Sequence, residues 1–204
     1  MTITTAHLSV SLDGFVAGPN QTMADPIGRG GLALHQWHFD ADEPGHEVDA
    51  RWTAELLRPR GAYVMGRNMF GPVRDAWSTH DGDWRGWWGD EPPYHAPVFV
   101  LTHHAREPIE MAGGTTFHFV TEGLERALEL ARTAGGGDVD IAGGASTVRQ
   151  ALRAGELDEF AFDIVPVLLG SGERLFDEGI RAGFELLEGE HSPWATHVRY
   201  RICH

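Results

Sequence analysis

The chain contains no lysine; all 16 of its basic residues are arginine. Catalysis through a lysine Schiff base and phosphate binding by a P-loop lysine are therefore excluded. It has a single cysteine, Cys203, so neither an internal disulfide framework nor a multi-cysteine zinc site can be built. The reducing cytoplasm is the compartment expected of such a sequence. Positive charge is scarce, since 30 acidic residues leave a formal net charge of −14. With its arginines scattered, a chain of this sign repels nucleic acid and anionic lipid, so neither is an expected partner. No apolar run approaches the roughly 20 residues of a membrane span, and Met1-Thr2-Ile3-Thr4-Thr5-Ala6-His7 lacks the basic-then-apolar start of a targeting segment.

What is present is a chain of 204 residues, 42% hydrophobic and rich in glycine. That length suits one domain, 1–204, able to bury a core without staples. Residues 3 to 12 are β-rich and run into the turn signal Asp13-Gly14, then into a long loop marked by Gly18-Pro19-Asn20, Pro26, Gly28, Gly30 and Gly31. Loops of this length are usually functional lids or disordered. Val48, Trp52 and Leu56 recur at four-residue spacing and predict an amphipathic helix over 47–57 that ends before Pro59.

Gly61 to Met65 reads as a strand followed by the short helix start Gly66-Arg67-Asn68-Met69-Phe70. Pro97 to Thr102 and Thr115 to Val120 read as buried strands, the second with Phe117 and Phe119 on one face. Leu124, Ala127, Leu128 and Ala131 give a helical stripe that stops before Gly135-Gly136-Gly137. Val139 to Ala142 is a short strand and Ala145 to Ala154 a helix. Phe160, Phe162 and Ile164 alternate along a further strand, and strands over 184–187 and 197–202 close the chain. Alternating strands and helices with a strand-only end predict a three-layer α/β/α sandwich around a mixed, mostly parallel sheet with antiparallel C-terminal strands.

Two places share one design: an apolar strand, then glycine, then a helix start. At Met65-Gly66-Arg67-Asn68 the glycine admits a ligand close to the backbone, the first helical N–H groups face it, and Arg67 adds a positive fork. At Ile141-Ala142-Gly143-Gly144-Ala145-Ser146-Thr147 two glycines do the same, and Ser146 and Thr147 can cap the helix and donate to an oxyanion. In a parallel sheet both turns open on the carboxyl edge. Two phosphate cradles there suit a dinucleotide carrying an additional 2′-phosphate. Neither matches G-x-G-x-x-G, so the standard Rossmann fingerprint is absent.

Ser11-Leu12-Asp13-Gly14-Phe15-Val16-Ala17, Val64-Met65-Gly66-Arg67-Asn68-Met69-Phe70, Ile141-Ala142-Gly143-Gly144-Ala145, and Leu157-Asp158-Glu159 leading to Pro166-Val167-Leu168-Leu169-Gly170-Ser171-Gly172 resemble the dihydrofolate reductase superfamily. Within it they are most similar to the reductase domain of the riboflavin-biosynthesis deaminase-reductase and its stand-alone relatives. The resemblance covers roughly residues 2 to 202 and implies an NADPH-dependent reductase, with a homodimer as the expected assembly. It implies that Gly66-Arg67 holds the adenosine 2′-phosphate and Gly143-Gly144, often joined by a cis peptide in this superfamily, the pyrophosphate. Thr102 and His103 look like the position that also approaches the adenosine phosphate, and Asp13 to Gly31 is similar to the loop closing over nicotinamide and substrate.

The departures concern the substrate. Riboflavin-pathway reductases commonly carry a basic residue after the first Asp-Gly and a Glu before the Gly-Gly turn; here Phe15 and Ala142 stand there. A more apolar or aromatic substrate is the expectation, and a protein that binds NADPH without turnover is the alternative. Asp13 and Asp49 are the candidate substrate contacts. Asp49 and Glu47 lie on the helix after the lid, where dihydrofolate reductases place a carboxylate, although a solvated helix face accounts for both acids. His35 with His38 and His103 with His104 lack the further ligands of a zinc site, so no metal is expected. Trp84, Trp87 and Trp88 could stack on a flat heterocycle, but packing within their own loop or a subunit interface is the reading adopted. No residue is identified as catalytic.

Overall fold

The computed structural model describes residues 2–41, 43–71, 76–77 and 83–203. Strands β1 (Thr4–Ser11), β3 (Ala62–Gly66), β4 (Pro97–Leu101), β6 (Thr116–Val120), β7 (Val139–Gly143) and β8 (Glu159–Val165) form its parallel centre, with β2 (Phe15–Ala17) and β5 (Ile109–Glu110) as short additions. After β8 come β9 (Glu173–Arg174), β10 (Gly183–His191) and β11 (Thr196–Cys203). Nine strands make one sheet in the order β10-β11-β8-β1-β7-β3-β4-β6-β5, and β2 pairs with β9 in a separate ribbon. The antiparallel C-terminal strands are as expected. The opposite edge is antiparallel too, through β5 on β6, a two-residue strand too short to show a period.

Helices α4 (Leu124–Ala134) and α5 (Ala145–Ala154) cover one face of the sheet. The α4 stripe read from the sequence is buried entire, Leu124, Ala127, Leu128 and Ala131, against Val64, Phe99 and Ile141. Each leucine so buried stabilises the fold by about 1.5–3 kcal/mol. The other face is divided. Helix α2 (Glu47–Leu56) and the short α1 (Gln36–Phe39) cover β1, β8 and β11 through Trp37 and Trp52. Helix α3 (Arg67–Phe70) and Trp77 cover β3, β4 and β6, where Phe117 and Phe119 pack on Phe70 and Trp77. Three layers result, as the element order predicts. Among the described residues no helix is long and apolar enough to cross a membrane.

Two elements differ from the sequence reading. Strand β10 continues to His191 because Glu188-Gly189-Glu190 pairs through its backbone after a bulge, which apolar alternation cannot register; Glu188 and Glu185 meet Arg199 and Arg201 across the pair, each at 2.7 Å. The long loop also carries more structure than expected, with β2 at its start and helical turns over Gly31–His35 and α1 at its end. The segment from Trp77 to Pro93, which has neither helical nor strand period in the sequence, is described except for residues 78–82.

The loop is gripped at its base by close backbone crossings. Gly172 has φ +137°, and a Cβ there would collide with the carbonyl oxygen of Ala17. Gly172→Ala is expected to cost about 1–3 kcal/mol and to open the loop base. Limited proteolysis reads the second effect as faster cleavage within residues 18–30, and an unchanged digestion rate would contradict it.

Candidate functional site

Because β7, β3 and β4 are adjacent and parallel, the turns that follow them open on one sheet edge. The two glycine turns touch there: a Cβ on Gly66 would come within 2.9 Å of Thr147 Oγ1 and 3.7 Å of the Gly144 nitrogen. The Gly143-Gly144 peptide is cis, as the resemblance implies. Gly144 is the N-cap of α5 and no side chain caps that end, so the capping role read for Ser146 and Thr147 is corrected. Thr147 is buried with its hydroxyl beside Gly66, Ala145 is buried, and Ser146 is exposed on the first turn. Of the first helical N–H groups, those of Thr147 and Val148 donate to the Gly144 carbonyl at 3.0 and 3.3 Å, which leaves those of Ala145 and Ser146 beside the two glycines for a ligand. A pyrophosphate fits such a place.

Arg67 and Asn68 open α3 on the neighbouring turn. Arg67 does not stand out as a fork: it is 9% exposed, and its guanidinium lies 3.1 Å above the centre of the Trp77 ring. Asn68 is half-buried and its carbonyl accepts Trp87 Nε1 at 3.4 Å. After β4, Thr102 is buried, and its hydroxyl accepts the His104 N–H at 3.1 Å, which shapes a turn that leaves His103 exposed.

Beside these turns a cleft of about 410 Å³ runs between the long loop, at Gly18 to Thr22 and Pro26 with Gly172 and Glu173 packed at its base, and a wall made by Asn68, Gly71 and Trp87. The tryptophan segment therefore does two things. Trp84 Nε1 donates to the Phe70 carbonyl at 2.8 Å and Trp84 meets Trp87 edge to face, which is packing within the loop; Trp87 also lines the cleft, which the sequence reading set aside. Trp88 is 54% exposed. Phe15 is buried beneath the Arg174 guanidinium, 4.6 Å from its ring centre, and Ala142 packs partly buried on the α3 side.

The two acids read as substrate contacts are engaged inside the protein. Asp13 accepts the Ser11 hydroxyl at 2.6 Å and the N–H groups of Gly170 and Leu169 at 2.6 and 3.1 Å. Those bonds, the Ser11 hydroxyl foremost, hold its pKa down to about 2, and they tie the turn after β1 to the loop after β8. Asp49 is not on a solvated helix face. It is fully buried, with Oδ1 accepting Ser192 Oγ at 2.7 Å and His197 Nε2 at 3.0 Å, and its other oxygen is 3.2 Å from His46 Nδ1. Glu47, two residues away, is exposed.

Asp49 is one end of a chain the sequence reading missed. His197 Nδ1 meets Asp163 Oδ1 at 2.8 Å, and the same carboxylate takes His7 Nε2 at 2.9 Å and Ser9 Oγ at 3.3 Å. A histidine whose two ring nitrogens both face carboxylates is suited to donate from both as the imidazolium. Burial alone would lower the His197 pKa, but the bonds to Asp163 and Asp49 raise it. Burial would likewise raise Asp163, and the adjoining His7 and His197 hold it down instead. Nearby, burial and the neighbouring His38 push His35 down to about 4. A signal existed in the sequence: His7, Ser9 and Ser11 alternate with apolar residues on a strand that, if central and parallel, is buried on both faces, and buried polar groups require partners. Among the described residues no group of three or more His, Cys, Asp or Glu is placed to hold a metal ion.

The family described as the RibD C-terminal domain matches residues 3–194. No curated protein matches the sequence. Among solved structures, the chain is similar to a Shewanella sp. PV-4 protein provisionally assigned to riboflavin biosynthesis, with TM-score 0.66, 23% identity and full coverage of both chains. It is similar to the Thermotoga maritima diaminohydroxyphosphoribosylaminopyrimidine deaminase/5-amino-6-(5-phosphoribosylamino)uracil reductase, with TM-score 0.60 and 16% identity over 99% of this chain and 57% of that one. A dihydrofolate reductase from Enterococcus faecalis complexed with NADP(H) matches with TM-score 0.53 and 12% identity over 98% of this chain and 96% of that one. At such identities the likeness establishes a dihydrofolate reductase-like fold.

Proposed function

The chain belongs to the RibD C-terminal domain family, and on that premise we propose that it is an NADPH-dependent reductase acting on a small heterocyclic or carbonyl compound. The observation that carries this reading is the meeting of two glycine turns, after β3 and β7, on one sheet edge beside a cleft roofed by the long loop. Gly143, Gly144, Ala145, Ser146 and Thr147 would hold the pyrophosphate through backbone N–H groups and the α5 dipole. Gly66, Arg67 and Asn68, with Thr102 and His103 on the adjoining turn, would hold the 2′-phosphate end. Family membership favours turnover over a protein that only binds the nucleotide.

NADPH, when bound, supplies a hydride from its nicotinamide. The chain's part is to position and to exclude water. The long loop, gripped by Gly172 and the Asp13 staple, roofs the cleft, and a dry pocket strengthens each polar contact inside it. Asp49 is not among the residues lining that cleft and is engaged by Ser192 and His197. We place the protein in the cytoplasm as a homodimer. Support for the dimer comes from the outer strand β10, which leaves Phe184 and Leu186 exposed beside a strand edge that is unpaired among the described residues.

Equilibrium titration with NADPH and NADH tests the reading, and binding of neither would end it. Arg67→Ala is expected to weaken NADPH about tenfold or more while leaving NADH within about threefold, because the 2′-phosphate alone calls for the guanidinium. Equal losses for both cofactors would remove Arg67 from the phosphate end.

A further inference from the structure

Among the described residues, the wall of the cleft opposite the long loop is lined by Asn68, Gly71 and Trp87, the last an aromatic ring with no cationic side chain beside it in the lining. Trp87 supplies the ring, and it is held in place from two sides: its Nε1 donates to the Asn68 carbonyl at 3.4 Å, and Trp84, itself tied to the Phe70 carbonyl, abuts it with ring centres 4.7 Å apart and planes at 78°. With the indole N–H engaged, what Trp87 has to offer a ligand is its π surface, without charge or hydrogen bond.

Across the cleft stand Asn20, Gln21 and Thr22. Gln21 donates from Nε2 to the Pro26 carbonyl at 3.2 Å and Thr22 Oγ1 accepts the Asp25 N–H at 3.1 Å, so the loop side presents neutral amide and hydroxyl groups already partly oriented by the loop's own bonds. The only charged residue lining the cleft, among the described residues, is Glu173, and Arg149 on α5 holds its carboxylate at 2.9 Å. Among the described residues that line the cleft, an incoming phosphate would meet no cationic side chain and one carboxylate, Glu173. A flat neutral ring would find stacking on one side and amide donors and acceptors on the other, in a space of the size that takes small molecules.

We propose that Trp87 is the specificity-determining wall of the substrate end of this cleft, and that the group it accepts is a planar, uncharged, hydrogen-bonding heterocycle rather than a phosphorylated sugar. This rests on the reductase reading and adds to it the class of substrate and the residue that selects it. It also separates this chain from the phosphoribosyl compound named for the Thermotoga maritima enzyme.

The test is calorimetric titration of the NADPH-loaded protein with 6-methylpterin and with uracil as flat neutral rings, and with ribose 5-phosphate as the anionic, non-planar comparison. The wild type is expected to bind at least one ring more tightly than ribose 5-phosphate. Trp87→Ala should weaken that ring about ten- to a hundredfold, the range of one aromatic stacking partner, while Trp87→Phe, which keeps a π face, stays within about fivefold. NADPH affinity in both variants should stay within about threefold of wild type, which also shows that they fold. A ring bound equally by Trp87→Ala and wild type overturns the proposal, and so does preferential binding of ribose 5-phosphate. NADPH binding with neither ring bound overturns it while leaving the reductase reading intact. Failure to bind NADPH removes that reading and this inference together.

Discussion

Replacing His197 with alanine is expected to lower the melting temperature by roughly 6–20 °C. The side chain is fully buried between Asp163 and Asp49, at 2.8 and 3.0 Å. Removing it leaves two carboxylates in the interior without the cation they share, a class of change that costs about 3–5 kcal/mol, and each kcal/mol is worth about 2–4 °C in a chain of this size. Adding Asp49→Asn to His197→Ala should recover part of the loss, since the amide does not carry the stranded charge. A double variant that melts at the sum of the two single effects would mean that the residues are not coupled.

The same chain sets the pH dependence. A histidine with a raised pKa contributes stability that is complete below its ordinary value near 6.5 and is lost as pH climbs through the folded value. Asp163, held below 3.8, contributes stability present above that value and lost in stronger acid. His35 acts in the opposite sense to His197: its folded value of about 4 keeps it neutral while the unfolded chain takes up a proton. Stability on its account falls as pH drops from about 6.5 to about 4, by on the order of 1–3 kcal/mol. Thermal melts across pH should show a maximum near neutrality, with an alkaline limb that flattens in His197→Ala. An alkaline limb unchanged in the variant would refute the assignment of the charge to His197.

Ser146→Glu is expected to separate stability from cofactor binding. Ser146 is exposed on the first turn of α5, where an added carboxylate favours the helix dipole by about 0.3–1 kcal/mol. The melting temperature should hold or rise slightly. The same charge stands where the pyrophosphate would lie, and repulsion at a few ångströms near a protein surface should weaken NADPH about 10- to 100-fold. Ser146→Gln, similar in size and uncharged, should retain most of the affinity. Equal losses in the two variants would point to bulk rather than charge, and full affinity in Ser146→Glu would move the pyrophosphate away from this turn.

Much of the fold was legible because its signals are local. The α4 stripe, the start and end of α5, and the two strand-glycine-helix turns each depend on residues within about one helix length, and each stands where periodicity and turn chemistry put it. Parallel pairing of β7, β3 and β4 then brings the turns to one edge, so the outline of the candidate site could be read as well. Asp49 could not. Its spacing fits the solvated side of α2, and only the strand order β11-β8-β1 places His197 and Asp163 beneath it.

What the sequence by itself determined is thus the succession of strands and helices, the paired glycine turns and the absence of lysine and disulfide chemistry. Tertiary structure alone decided that Arg67 folds under Trp77, that Trp87 lines the cleft, and that His7, Asp163, His197 and Asp49 form one buried chain. The physical reason is range. Backbone propensity and hydrophobic period act between near neighbours, whereas the partner that satisfies a buried charge can stand 148 or 156 residues away, as for His197 with Asp49 and His7 with Asp163, and is fixed only when the sheet closes.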